Sequence, residues 1–287
     1  MEPTIYYKQT RQKLFDAAGI QPESKMITTD GPVKNVHYLE IGSGKPLILI
    51  HGGGAHASQW INIIKPLAQH FHLYIVDRPG CGLTDTINYR DIHYKQSAID
   101  FVRSFMDAVG LEQAMFTANS MGGYFSICFS LEYAERVEKL LLIGAPAGMN
   151  HWIPLMPRLM GTKRLNSFMM RLAKPNTKMV RMNYKQLMMA DASKLSDDFL
   201  KHELALAFLP DAVKSMLTMF ESVLTLKGFR KDLYIGDKLS DLKIPVRFIW
   251  GDKDVFEKPD TGLSKAKAIN DYKFEVVENA GHAPWLD

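Results

Sequence analysis

Cysteine is scarce: Cys81 and Cys128 are the only two in 287 residues. A scaffold stapled by disulfides is excluded, and both read as free thiols, because Cys128 falls in a stretch expected to be a buried helix. Long apolar runs are missing too. The uncharged stretches at 113–131 and 140–157 are broken by Asn, Ser, His, Gly or Pro, so neither reads as a membrane span. The opening residues carry no apolar run of signal-peptide length, and the expectation is an unexported, cytoplasmic chain in a reducing compartment. Nor is one sign of charge in excess. The 35 basic and 31 acidic residues leave +4, too little to argue for nucleic acid, and no zinc-finger or RNP pattern occurs. Internal repeats and low-complexity tracts are absent as well.

What the chain does have is alternation. Short β-rich runs occur at 25–29, 36–41, 47–51, 73–77, 115–118, 139–143, 246–250 and 274–277. Helical patterns at 60–69, 94–109 and 121–133 lie between several of them, as in βαβ units. The run Leu47-Ile48-Leu49-Ile50 is apolar without interruption, as expected of a parallel strand covered on both faces. The fold class is therefore α/β, with a mostly parallel central sheet flanked by helices and an N-terminal pair of strands open to antiparallel pairing.

After Pro146 the alternation stops, and it resumes at Ile244. The expected organisation is a core in two parts, 1–146 and 244–287, with an inserted helical cap at 147–243. Eleven of the 16 methionines lie from Met149 to Met219. Such flexible side chains suit either a wall that repacks around apolar ligands or the filling of the cap's own small core. Between His151 and Ala190 there are eight Lys or Arg and no Asp or Glu. A basic stretch of this kind docks on anionic membranes or forms the solvated face of a lid, and the lid face is the expectation.

The chemistry sits where strands end. The strand at 115–118 runs into Asn119-Ser120-Met121-Gly122-Gly123 and then a helix. A serine on a sharp strand-to-helix turn holds its hydroxyl above the sheet, and small residues nearby let the helix pack close. The pattern is G-x-S-x-G with Ala118 at the first glycine. An ordinary helix N-cap serine gives the same local signature. His51-Gly52-Gly53-Gly54 follows the strand at 47–51, and it reads as an oxyanion loop acting with the amide after the nucleophile. Gly53 and Met121 are the expected donors, with Gly54 as the alternative to Gly53 and otherwise a substrate-side position. A base and an orienting acid complete such a site in the order Ser, Asp, His. Gly251-Asp252-Lys253-Asp254 and Asn279-Ala280-Gly281-His282 follow the last two strands, at the edge where open α/β sheets bind ligands. Candidate catalytic residues are thus Ser120, His282 and one of Asp252 and Asp254. No metal and no cofactor is expected, and the partner is a small-molecule substrate.

With Asp77-Arg78-Pro79-Gly80-Cys81-Gly82 added, these motifs resemble the α/β-hydrolase superfamily over nearly the whole length, from Val36 onward. The resemblance implies the α/β-hydrolase fold and Asp254 as the acid, three residues past the glycine, with Asp252 a turn residue. It also implies a closing helix that is missing after residue 287. Within the superfamily, His51-Gly-Gly-Gly, Trp60-Ile61-Asn62 and Asn119-Ser-Met-Gly-Gly look like the meta-cleavage product hydrolases, which break carbon–carbon bonds. That likeness makes Asn62 a substrate-side residue. Ala283 stands where those enzymes commonly carry tryptophan after the histidine, and no lid arginine can be singled out. The first expectation is therefore a serine hydrolase acting through an acyl-enzyme on a small, largely apolar carboxylic ester. The second is a carbon–carbon bond hydrolase, and the alternative from another class is a non-catalytic receptor on the same fold.

Overall fold

A computed structural model describes residues 1–287. Its strands are β1 (Glu23–Thr28), β2 (Asn35–Ile41), β3 (Lys45–Ile50), β4 (Phe71–Val76), β5 (Ala114–Asn119), β6 (Val137–Ile143), β7 (Leu224–Thr225), β8 (Gly228–Phe229), β9 (Val246–Gly251) and β10 (Tyr272–Val277). Eight form one sheet in the order β1-β2-β4-β3-β5-β6-β9-β10, and β7 and β8 form a separate hairpin. Strand β2 runs antiparallel to both its neighbours. All other pairings in the large sheet are parallel. Chain order reverses at β3, which has β4 on one side and β5 on the other. A crevice therefore opens beyond the carboxyl ends of β3 and β5.

The apolar run of β3 divides with the period of two that a strand imposes. Ile48 and Ile50 join one buried cluster with Phe116, Leu140 and Phe248. Leu47 and Leu49 join a second, on the opposite face, with Leu39, Leu73 and Ile75. Helices α3 (Tyr94–Ala108) and α4 (Met121–Glu132) cover the first face. Helices α1 (Pro3–Ala18) and α2 (Ile61–Ala68) cover the second. Between β6 and β9 come α5 (Leu155–Met160), α6 (Leu165–Leu172), α7 (Thr177–Leu187), α8 (Asp197–Leu206), α9 (Ala212–Val223) and the β7–β8 hairpin, and α10 (Pro259–Ala266) lies between β9 and β10. No helix is long and apolar enough to cross a membrane.

Helix α1 is the element the sequence pattern misses. Its buried residues Tyr7, Thr10, Arg11, Leu14 and Phe15 keep helical spacing, yet two of them are polar and interrupt the apolar stripe. Those two are held by a buried network. Arg11 donates to His37 Nε2 (3.1 Å) and to Ser24 Oγ (2.8 Å), and His37 Nδ1 donates to Asp77 Oδ2 (2.6 Å). Asp77 also accepts from the Ala57 amide (2.6 Å), which fixes the chain just past the glycine loop. On the other side Thr10 Oγ1 meets His202 Nδ1 of α8 at 3.1 Å.

Burial, reinforced by His56 and Arg11, holds the His202 imidazole neutral well below its ordinary value of 6.5. The unfolded chain binds a proton there and the folded one does not, so stability contributed at neutral pH is lost as pH falls below 6.5. The urea midpoint should therefore drop across that window. His202→Phe should flatten the slope, since Thr10 keeps its bond to the Tyr7 carbonyl; an unchanged slope would remove His202 from the account.

Candidate active site

Ser120 lies between β5 and α4 at φ 50°, ψ −113°, a backbone conformation costly for any residue with a Cβ. Such geometry costs about 1–3 kcal/mol and survives only where the surroundings enforce it. They do so here. A Cβ on Gly122 would strike the Ile50 carbonyl, so glycine lets α4 sit directly on the end of β3. The Ala147 amide holds the Ser120 carbonyl at 3.0 Å. Ala118, at the first position of the motif, is fully buried between β3 and β6 and adds no bulk that this turn must avoid.

The other two polar groups arrive at the same edge from β9 and β10. His282 Nδ1 donates to Asp254 Oδ2 at 2.8 Å, with both side chains buried. The same oxygen accepts from the Ala145 amide (2.9 Å), and Oδ1 accepts from the Phe256 amide (2.9 Å). Asp252 does not reach the imidazole. It pairs with Lys253 at 2.8 Å and accepts from the Ala280 amide at 3.2 Å. With Nδ1 donating, the remaining nitrogen, Nε2, is the acceptor; it is buried and has no partner. His282 and Ser120 line one cavity.

Two supports were not visible as such in the sequence. Asn119, the last residue of β5, donates from Nδ2 to the Ile143 carbonyl (2.7 Å) and the His282 carbonyl (3.2 Å), tying the histidine loop to the serine turn. Gly144 turns at φ 70°, and a Cβ there would collide with the His282 carbonyl. Only the small residue lets the two loops meet.

The glycine loop is held from beneath. Arg78 is wholly buried and stacks on Phe125 at 5.2 Å. Its Nε donates to the His51 carbonyl (3.0 Å) and its NH2 to the Gly52 carbonyl (2.7 Å). His51 Nδ1 donates to the same Gly52 oxygen at 2.9 Å, while Nε2 accepts from the Arg78 amide at 3.0 Å. Burial, then the nearby guanidinium, pushes the His51 imidazole down to about 3, so it is neutral as this pattern requires. No peptide bond in the chain is cis. With the Gly52 carbonyl fixed on Arg78, the trans peptide turns the Gly53 N–H the opposite way. The signal for this role was present in Asp77-Arg78-Pro79-Gly80, which by itself does not say what the arginine touches.

Gly53 and Met121 both line the cavity. A Cβ on Gly53 would stand 3.2 Å from Met121 Cγ. Gly54 and Asn62, both expected on the substrate side, are not among the residues that line it. Gly54 has φ 70°, and a Cβ there would stand 3.3 Å from Met216 Sδ. Asn62 is exposed on α2 and donates to the Trp285 carbonyl at 3.1 Å. Trp285 itself stacks on Trp60 at 4.4 Å, so the motif Trp60-Ile61-Asn62 holds the C-terminal segment. The cavity measures about 130 Å³, and its walls include Trp152, Ile153, Leu187, Phe220, Val223 and Phe229. Of the eleven clustered methionines only Met188 lines it; Met149 and Met219 join the main core cluster, and Met156 and Met182 are half exposed. No Lys, Arg, Asp or Glu lines it.

Residues 45–287 match the family model of the α/β-hydrolase fold, and the chain belongs to that family. A 2-hydroxy-6-oxononadienedioate/2-hydroxy-6-oxononatrienedioate hydrolase of Paraburkholderia phymatum is 30% identical over 262 residues, covering 89% of this chain and 87% of that protein. A 2-hydroxy-6-oxo-6-phenylhexa-2,4-dienoate hydrolase of Comamonas testosteroni is 29% identical over 258 residues, 87% of this chain and 86% of that protein. Among solved structures, a carboxylesterase of Bacillus subtilis aligns with TM-score 0.78 at 20% identity over 98% of this chain and 92% of its own, a likeness of fold. The protein is an enzyme of the hydrolase class.

The geometry separates the two aspartates. Asp254→Asn should lower kcat by about 10⁴-fold, the loss expected when the group fixing the histidine tautomer is neutralised, whereas Asp252→Asn should leave kcat within a few fold. Steady-state kinetics on any turned-over substrate reads this, and equal losses at the two positions would contradict it.

Proposed function

We propose that the protein is a serine hydrolase acting on a small, uncharged, largely apolar carboxylic ester. Ser120 Oγ attacks the acyl carbonyl and passes its proton to His282 Nε2, while Asp254 holds the ring and stabilises its cationic form. The Gly53 and Met121 amides receive the developing oxyanion. The imidazolium returns its proton to the leaving alcohol, leaving an acyl group on Ser120. Water, deprotonated by the same histidine, then attacks that ester, and release of the acid restores the serine. Residues 147–243 act as a cap over the two parts of the core, 1–146 and 244–287, and close the acyl site from water.

The observation that supports this substrate class is the wall of the cavity. Four polar side chains line it, those of Asn119, Ser120, Asn150 and His282, and the rest of the lining is apolar, backbone or glycine. An apolar cavity of ~150 Å³ holds benzene, so about 130 Å³ suits an acyl group of similar size. A substrate carboxylate would be stripped of water there with no cation to meet it, and an unpaired buried charge is strongly disfavoured.

Carbon–carbon bond hydrolysis is the second reading. It is favoured by the names of the two sequence relatives, both hydrolases of charged dienoates. The same serine, histidine and oxyanion donors serve either reaction, so the acyl site decides. Measuring kcat/KM for p-nitrophenyl esters of increasing chain length beside a ring-cleaved dienoate tests this. Short esters should exceed the dienoate by about 10²-fold or more, the penalty of one unmatched buried charge; a faster dienoate would overturn the ester reading.

A further inference from the structure

Helix α6 is built inside out. Leu165, Phe168 and Leu172, spaced i, i+3, i+7, form one face of it, and they are 37%, 59% and 68% exposed. The residue it buries is polar: Asn166 donates to the Met160 carbonyl (3.0 Å) and to Glu221 (2.8 Å). Helix α5 packs against it, and Leu155 on that helix is 59% exposed. Trp152, just before α5, is 54% exposed and also lines the catalytic cavity, so this apolar surface continues to the cavity mouth.

Cations bracket the same helix. Lys163 and Arg164 precede it, Arg171 lies in its last turn and Lys174 follows, all exposed. From His151 to Ala190 no acidic residue offsets them. Of the eight cations in that stretch only Arg181 comes within 4.0 Å of a carboxylate, 3.9 Å from Asp197. A solvated lid face accounts for the charge and leaves the row of exposed apolar side chains without a reason.

We propose that the α5–α6 surface docks on an anionic lipid bilayer, with Leu165, Phe168 and Leu172 entering the headgroup boundary and the flanking cations meeting lipid phosphates. An amphipathic helix lying in the interface has this composition, with apolar side chains on one face and Lys or Arg beside them. A second copy of the chain fits the surface poorly. A two-fold interface sets each patch against itself, which would oppose the same unpaired cations across the contact. Docking places the mouth of the cavity at the bilayer surface, where apolar esters concentrate. The proposal concerns binding and holds whichever bond the enzyme hydrolyses.

Co-sedimentation with vesicles of phosphatidylcholine, and of equimolar phosphatidylcholine and phosphatidylglycerol, tests it. The protein should bind the anionic vesicles and leave the neutral ones. Arg171→Gln with Lys174→Gln should weaken binding by about 25-fold, taking about fivefold for each cation removed, ~1 kcal/mol. Phe168→Ser with Leu172→Ser should weaken it by about tenfold or more. The thermal midpoint and turnover of whichever soluble substrate, ester or dienoate, the wild type accepts should be unchanged in both, which separates loss of docking from loss of fold or activity. Absence of binding to anionic vesicles, or equal binding by wild type and variants, would overturn the proposal. So would a dimer in light scattering that Phe168→Ser with Leu172→Ser abolishes, since it assigns the surface to a second copy.

Discussion

A carboxylate removed from water must be met by hydrogens from every side, and the Asp254 side chain is met by three: the Ala145 amide, the Phe256 amide and His282 Nδ1. Each comes from a different loop, after β6, after β9 and after β10. The buried charge therefore gathers three strand ends into one place, because releasing any of them leaves part of it unsatisfied. Asn119 does the complementary work with a donor, holding carbonyls of β6 and of the histidine loop from the end of β5. Between them these two side chains fix where Ser120 and His282 stand. The strained backbone at Ser120 is then an imposed geometry, held by α4 against β3 and by the Ala147 amide.

The same site uses a buried cation that makes no ion pair, although Asp77 precedes it in the chain. Arg78 is neutralised by carbonyl dipoles, and what it acquires in return is control of the Gly52 peptide plane. An oxyanion site needs amides aimed in advance, since donors that must reorient during the reaction lose most of their advantage. His51 contributes by remaining neutral, one ring nitrogen donating and the other accepting. Above this polar floor the cavity is apolar, and the segment between β6 and β9, its loops more than its helices, supplies most of that wall. Relatives named for dienoate hydrolysis and a structural neighbour named as a carboxylesterase share this fold, and no Lys, Arg, Asp or Glu lines the cavity of this chain.

Much of this was legible in the sequence because it depends on period and punctuation. All eight strands of the large sheet were read within about two residues of their ends. The inner parallel ones are apolar runs that turn residues punctuate, and the exposed edge strands β1 and β10 were read from short β-rich runs. Ser120, His282 and the glycine loop followed from turn motifs at those ends. What could not be read depends on partners distant in sequence. Helix α1 hid because Thr10 and Arg11 occupy its buried stripe, and only His37, Ser24 and His202 make that tolerable. Asn62 resembled a substrate contact by spacing, yet α2 turns it toward the Trp285 carbonyl. The clustered methionines left an adaptable wall and the filling of their own core equally open, and of the eleven only Met188 lines the cavity.

The central claim, that Ser120 is a nucleophile activated by His282 and Asp254, is tested most directly by locating a covalent adduct. Treatment with a fluorophosphonate followed by peptide mass mapping should find a single phosphonylated residue, Ser120, and Ser120→Ala should be folded and unlabelled. An enzyme that turns over substrate yet carries the label elsewhere, or a Ser120→Ala variant that retains turnover, would contradict the account.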